Sequence, residues 1–202
     1  MNYNLLMEEE MKKITPGKKL LLHVCCAPCT SAVIERLGNF FKITVFFYNP
    51  NIDTDEEYHH RLNELKKFLS SFKTKYEIDL IASPHSKEDF IKMAKGLENA
   101  PERGPRCYKC YNLRLKKTAE LAKEQGYDYF ATSLTLSPYK NSNWINEIGE
   151  QLQSEFHVNY LYSDFKKKNG YKRSLELSKE YNLYRQNYCG CIFSKKSVNS
   201  CK

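Results

Sequence analysis

KLLLHVCCAPCT, residues 19–30, sets the frame for the whole chain. Its first half, residues 19–24, is apolar without polar alternation, as a strand buried on both faces should be. It ends in a cysteine-rich turn. A helix is then expected from Thr30, with Ala32, Val33, Ile34 and Leu37 apolar and Gly38 as its stop. The same alternation continues outward. Residues 42–47 (KITVFF) form a second strand, broken by Tyr48-Asn49-Pro50-Asn51. A helix over 54–69, capped by Asp53 or Thr54, carries Tyr58, Leu62, Leu65 and Leu69 at helical spacing. Further strands are expected at 76–82, 129–134 and 158–162, with helices at 86–95, from Cys107 to about Gln125, up to about Gln153, and from Ser174 to about Tyr181. Residues 96–105, with two glycines and two prolines, form an irregular loop.

Strands alternating with helices predict an α/β fold: a Rossmann-like parallel sheet sandwiched by helices in a single domain. That domain covers residues 19–194, with an N-terminal extension at 1–18 and a C-terminal tail at 195–202. Ligands in such folds bind beyond the carboxyl ends of the strands. The unusual segments CCAPC, YNPN and TLSPYKN each follow a strand, so parallel topology alone brings them to one edge of the sheet.

A chain of 202 residues can bury roughly 70% of its unfolded surface. The 32 basic and 24 acidic side chains leave a charge of +8, which suits a polyanionic partner such as RNA. The first 13 residues carry Glu8, Glu9 and Glu10 and lack the basic start and apolar core of a secretory signal. The longest apolar stretch, broken by His23, falls far short of a membrane span. A cytoplasmic location without membrane association is therefore expected. In such a reducing compartment, grouped cysteines bind metal or do redox work more often than they form structural disulfides.

Seven of the eight cysteines fall in three groups: Cys25, Cys26 and Cys29; Cys107 and Cys110; Cys189 and Cys191. Cys201 stands apart. Cys107 and Cys110, a C-x-x-C at the start of a helix, supply half of a tetrahedral zinc site or half of the ligands of a four-iron cluster. Cys25 and Cys26 can supply the other half. Adjacent cysteines suit the separate corners of an iron–sulfur cube better than one small zinc ion, so the spacing favours a cluster. Cys26-Ala27-Pro28-Cys29 also reads as a thiol–disulfide redox motif. In Cys189-Gly190-Cys191 the glycine permits a tight turn, which fits a two-electron dithiol relay, with metal ligation as the competing role.

Tyr48, Asn49, Asn51, Ser137, Tyr139, Lys140 and Asn141 are expected to line the same pocket and hydrogen-bond a polar substrate, although Asn-Pro and Ser-Pro are also ordinary turn formers. Arg103, Arg106, Lys109, Arg114, Lys140, Arg173 and Arg185 lie in or near these segments, where phosphate contact is expected.

Five motifs in order carry a family resemblance: H-x-C-C-A-P-C (residues 23–29), Y-N-P-N-I (48–52), P-E-R-G-x-R-C-x-x-C (101–110), T-S-L (132–134) and Y-R-Q-x-Y-C-G-C (184–191). Together they resemble the epoxyqueuosine reductases of the QueH type, over roughly residues 20–194. The resemblance implies a HUP-like fold related to nucleotide-binding α/β domains. It also implies cobalamin-independent reduction of epoxyqueuosine to queuosine at the wobble position of tRNA. Carried over position by position, Cys25, Cys26, Cys107 and Cys110 would ligate a [4Fe-4S] cluster, and Cys189–Cys191 would be a redox-active disulfide. Cys29 would be free to hold an additional iron beside the cluster, and an unidentified electron donor would complete the cycle.

Three rival readings remain open from residues alone. A thioredoxin-like disulfide oxidoreductase explains Cys26 and Cys29 but leaves the other pairs without work. A zinc-stabilised RNA-binding module explains the ligands and the charge but needs no turnover. An ATP-dependent tRNA-modifying enzyme would want a Ser/Gly-rich phosphate loop where CCAPC stands.

Overall fold

The computed structural model describes residues 1–199, with side chains up to Lys195, so Cys201 lies outside the described residues. Five parallel strands form one sheet: β1 (Lys19–His23), β2 (Lys42–Phe47), β3 (Asp79–Ala82), β4 (Tyr129–Thr132) and β5 (Asn159–Tyr160), in the order β3-β2-β1-β4-β5. β1 is central, pairing Leu20 with Ile43 on one side and with Tyr129 on the other.

The side-chain period of two along β1 creates two cores. Leu20, Leu22 and Val24 point to one face, where they meet Val33, Leu37, Leu65 and Phe68. Those residues come from α2 (Ala27–Leu37) and α3 (Asp55–Ser71). Leu21 points to the other face, against Leu115, Ala119, Ile148 and Leu152 from α5 (Pro105–Glu124) and α6 (Ser142–Phe156). α4 (Glu88–Ala94) packs on α5, and α7 (Gly170–Glu180) packs on α2. Each of the leucines of β1 is fully buried, a contribution of roughly 1.5–3 kcal/mol apiece.

Several boundaries differ from the sequence expectation for local reasons. α2 starts at Ala27 rather than Thr30, because Pro28 occupies the first turn, where its missing N–H is no loss. β4 ends at Thr132, whose hydroxyl accepts from the Leu134 amide and caps a 3-10 turn over Ser133–Leu136. β3 and β5 are shorter than expected, and α7 begins at Gly170 rather than Ser174. Residues 3–13 of the N-terminal extension form α1 (Tyr3–Lys13), capped by Asn2. Met7 enters the core, Glu8 pairs with Arg36, and Glu10 accepts from the Tyr129 hydroxyl. At the other end, α8 (Ile192–Asn199) follows the last cysteine pair directly.

α6 approaches the sheet through Gly149. A Cβ there would stand 2.3 Å from the Tyr160 ring, inside any allowed contact. Gly149→Ala is therefore expected to destabilise the fold by about 2 kcal/mol through overpacking, lowering Tm by roughly 4–8 °C. Thermal unfolding followed by circular dichroism checks this; an unchanged or higher Tm would mean that the α6–β5 contact is loose.

Candidate active site

The order β3-β2-β1-β4-β5 reverses direction at β1, so the crevice between the carboxyl ends of β1 and β4 is the switch point of the sheet. Cys25 and Cys26 emerge there. Cys26 is extended and caps α2, and its carbonyl accepts from both the amide and the hydroxyl of Thr30. The early start of α2 places Cys29 in its first turn, so the sulfurs of Cys25, Cys26 and Cys29 all lie within 4.8 Å of one another. Cys25 and Cys26 are 3.7 Å apart, and all seven described cysteines are free. Hydrogen bonds from Cys26 and Cys29, aided by Lys140 and Arg114, push the Cys25 thiol well below its ordinary range. Hydrogen bonding to Cys25, with burial, pushes Cys26 up to about 11, and hydrogen bonding to Cys25 and Cys26, with burial, pushes Cys29 up. Together the three sulfurs favour one shared thiolate.

A buried polar frame holds this turn. Arg114, only 1% exposed, donates from Nε to His23 Nε2 at 3.2 Å and from Nη2 to Asn49 Oδ1 at 2.6 Å. Asn49 Nδ2 in turn donates to the Val24 carbonyl at 2.9 Å. His23 Nε2 lies between the Arg114 N–H, which can only donate, and the Tyr48 carbonyl at 3.1 Å, which can only accept; the tautomer that accepts from Arg114 lets Nδ1–H donate to Thr132 Oγ1 at 2.9 Å. Burial first, and the Arg114 charge second, depress His23 to about 3, consistent with a neutral imidazole. Burial also opposes the charge on Arg114, yet the sulfurs of Cys110, Cys25 and Cys189 push it up. Lys140 is half-buried in the same way, opposed by desolvation and favoured by Cys189, Cys25 and Cys29.

A cavity of about 490 Å³ opens over this frame. It brings together Cys25, Cys26, Cys29, Cys107, Cys189, Ser137, Tyr139, Lys140 and Arg185, all singled out in the sequence. Cys107 accepts from the Arg103 amide at 3.3 Å, and the Arg103 guanidinium lies 5.1 Å from the ring centre of Tyr139, which is 62% exposed at the rim. Cys110 and Cys191 do not line the cavity; they pack with Phe90, and burial pushes their thiols up to about 12 and about 11.

Five other expected residues also stand elsewhere, and one of them, Asn141, accepts from the Asn143 and Trp144 amides to cap α6. Tyr48 donates to Asp89 at 3.1 Å and lines a separate cavity with Lys109, Lys116 and Lys117. Asn49 is spent on the Arg114 frame. Asn51, 3% exposed, borders a smaller apolar cavity with Phe90, Ile91 and Phe193. Arg106 donates to the carbonyls of Leu97, Glu98 and Ala100 and lies 4.1 Å from the Phe193 ring centre, so it shapes the 96–105 loop. Of the basic residues expected near phosphate, Arg114 is an interior group.

Sequence patterning points to no role for Tyr111, Tyr171 and Tyr188, which line the cavity, or for Arg61, which bonds the Cys189 carbonyl. Arg114 follows Cys107 by seven residues and Cys110 by four, one face of a single helix, which is the signal that places it with the sulfurs. Arg61 sits on the Tyr58–Leu62–Leu65 stripe of α3, where a charge is out of place.

The described donor set fits an anionic metal–sulfur group. Three soft sulfur ligands, Cys25, Cys26 and Cys29, converge, and nearby sulfurs favour the charges of Arg114 and Lys140.

Residues 20–197 match the family model described as epoxyqueuosine reductase QueH. The chain belongs to that family. It is 44% identical over 200 residues to the epoxyqueuosine reductase QueH of Streptococcus pyogenes serotype M1, covering 96% of this chain and 78% of that one. It is 45% identical over 180 residues to the QueH of Staphylococcus epidermidis, covering 87% and 76%. The Thermotoga maritima QueH is 34% identical over 181 residues, covering 87% and 89%. The residues that build the cavity all lie within the span matched to the QueH family.

His23 carries a pH prediction. The folded chain keeps it neutral down to about pH 3, whereas the unfolded chain protonates it near 6.5. In that window the unfolded state binds the extra proton, so stability falls as pH drops from 6.5 toward 3. Urea midpoints measured between pH 7 and 4 should fall for the wild type. The fall should be shallower in His23→Gln, which removes the titrating ring. Parallel slopes for the two proteins would assign the pH dependence to other groups.

Proposed function

We propose that this chain reduces epoxyqueuosine to queuosine at the wobble position of tRNA, in the cytoplasm. In this reading an iron–sulfur group is held by Cys25, Cys26, Cys107 and Cys110, and Cys189 and Cys191 form an exchanging dithiol. The observation that carries it is the cavity at the switch point, where five cysteines from three chain segments meet Lys140 beside buried Arg114. A pocket of about 490 Å³ lies within the size range of small-ligand sites, enough to admit a modified nucleoside at its mouth.

Taking the oxygen from an epoxide to leave an alkene consumes two electrons and two protons and releases water. Bound there, an iron–sulfur group would supply electrons singly and a Lewis-acidic iron for the oxygen. The chain's own residues supply the rest. Lys140 holds a positive charge against the cavity, suited to an oxygen that gains negative charge as its C–O bond breaks. Ser137 offers a hydroxyl in the same wall. Tyr139, stacked under Arg103 at the rim, offers a face to a base, with Arg103 and Arg185 near the phosphates. Cys189 lines the cavity while Cys191 sits with Cys110, so the Cys-Gly-Cys turn reaches from the substrate space to the interior. Reducing equivalents then come from an external electron donor.

The grouping of Cys29 with Cys25 and Cys26 supports a second ligand assignment, in which Cys29 joins the set or holds an additional iron. Iron and sulfide analysis after anaerobic purification separates these readings. About four irons and four sulfides per chain are expected. Cys107→Ala should lose them. Cys29→Ala should keep them if Cys29 is no ligand, and should lose a single iron if it holds an extra one. Full iron in Cys107→Ala would overturn the ligand set.

The dithiol role has its own test. Cys189→Ser should retain iron but lose multiple-turnover reduction, because serine forms no disulfide while the four proposed ligands stay intact. Thiol trapping of the wild type should show Cys189 and Cys191 changing state with reductant. Iron loss in Cys189→Ser would make that residue a ligand instead.

A further inference from the structure

Arg61 lies on the buried face of α3 and is 1% exposed. Its Nε donates to Glu57 Oε1 at 2.7 Å, and its Nη1 donates to the Cys189 carbonyl at 3.2 Å. The guanidinium carbon is 5.3 Å from the ring centre of Tyr188. Nη2 is buried with no hydrogen-bond partner among the described residues. A buried donor left unmade costs roughly 1–3 kcal/mol, and more when charged. Arginine cannot escape that cost by losing its proton.

The turn beside it is shaped for this approach. Gly190 has φ +118°, and a Cβ there would stand 3.1 Å from Arg61 Nη1 and 3.4 Å from Nη2. Only glycine satisfies both the turn and the contact. The Gly190 carbonyl accepts from the Asp53 amide at 3.0 Å, and the Tyr188 hydroxyl donates to the Asp53 carboxylate at 3.2 Å. The Cys189-Gly190 turn is thus fastened to the segment between β2 and α3 and to α3 itself. Burial works against the Arg61 cation, while Cys26, Glu57 and Cys25 favour it. Its charge is therefore shared between one carboxylate and the sulfurs.

We propose that Arg61 is a positioning residue that joins the two cysteine systems. It clamps the Cys189-Gly190 turn against α3 and so keeps its positive charge beside the cavity that Cys189 shares with Cys25 and Cys26. This rests on the iron–sulfur reading above and adds to it a protein group that raises the reduction potential of the bound group. A cation near the site stabilises the more negative, reduced form.

The test uses the full chain, purified anaerobically with its iron. Reduction followed by electron paramagnetic resonance gives the midpoint potential, and timed alkylation with mass spectrometry gives the accessibility of Cys189. In Arg61→Gln the potential should fall by about tenfold in the oxidised-to-reduced ratio, ~59 mV for one electron. Cys189 should alkylate about tenfold faster, and Arg61→Lys should restore the potential but not the clamp, because an ammonium cannot fork between partners. Iron-loaded, folded Arg61→Gln with both readouts unchanged overturns the proposal. Should Arg61→Gln fail to fold, Glu57→Gln decides the electrostatic part. It leaves Arg61 in place and removes the carboxylate that offsets its charge, so the potential should rise, and a fall or no change overturns the proposal. Wild-type protein without iron or sulfide would instead overturn the iron–sulfur reading, and this inference with it, an outcome distinct from an unmoved potential.

Discussion

A cation buried away from water must find an anion, and around this site the candidates are the cysteine sulfurs with the carboxylates of Glu57 and Glu102. Arg114 is held by neutral His23 and Asn49, and Arg61 has one carboxylate and a free N–H. Lys140 draws its charge stabilisation from cysteines. Were every thiol neutral, these three groups would carry a net positive charge in a poorly solvated crevice. That imbalance favours thiolate at Cys25 and suits a metal–sulfur group with negative charge of its own. The rest of the site follows from holding these cations still. His23 is kept neutral so that it can accept from Arg114, and Asn49 ties Arg114 to the strand end at Val24.

The sheet makes this concentration possible. In parallel strands every carboxyl end lies on the same edge, so the turns after β1 and β4 converge with no help from long loops. Two refinements turn convergence into a site. Pro28 starts α2 early and winds Cys29 back toward Cys25 and Cys26. Thr132 caps the turn after β4, ending the strand so that the chain runs on through Ser137 and Lys140 at the cavity. The helices supply the remaining sulfurs from outside the sheet. α5 opens with Cys107, and the Cys189-Gly190 turn folds in from the C-terminal side under Arg61 and Asp53.

The strands, the two-faced core and the gathering of cysteines were legible because they rest on periodicity and topology. KLLLH needed no partner information to be recognised as a buried central strand. Side-chain direction was harder to read. Tyr48, Asn49 and Asn51 closely follow β2, yet they point to three different places, because Tyr48 and Asn49 take opposite faces at the strand end and Asn51 lies in the turn that follows Pro50. Arg106 adjoins Cys107, but neighbouring residues on a helix diverge by about 100°, and its guanidinium turns to the loop carbonyls instead. The buried cations were hidden by the ordinary expectation that arginine is solvated. Only the helical register, Cys107–Cys110–Arg114 and Tyr58–Arg61–Leu62–Leu65, distinguishes them from surface charge. The N-terminal segment was opaque for a different reason. Leu5, Leu6, Met7 and Met11 share a charged helix, and that Met7 is the one fully buried depends on the groove it meets.

That register in α5 has a structural consequence. Cys107, Cys110, Tyr111 and Arg114 share one helix face, so the sulfurs and the cation that balances part of their charge move as one body. A separate loop for each would let charge and counter-charge drift apart, with a Coulomb cost that grows as water is excluded. Arg61 stands in the corresponding relation to Cys189, but across chain segments, through a main-chain carbonyl and a glycine that admits it. One cysteine pair is therefore bound rigidly to its cation by a helix, and the other is fastened to its cation through a turn. A turn held by a few hydrogen bonds can change geometry at far less cost than a 20-residue helix. The two attachments differ in the way the proposed ligand pair and the proposed exchanging dithiol require.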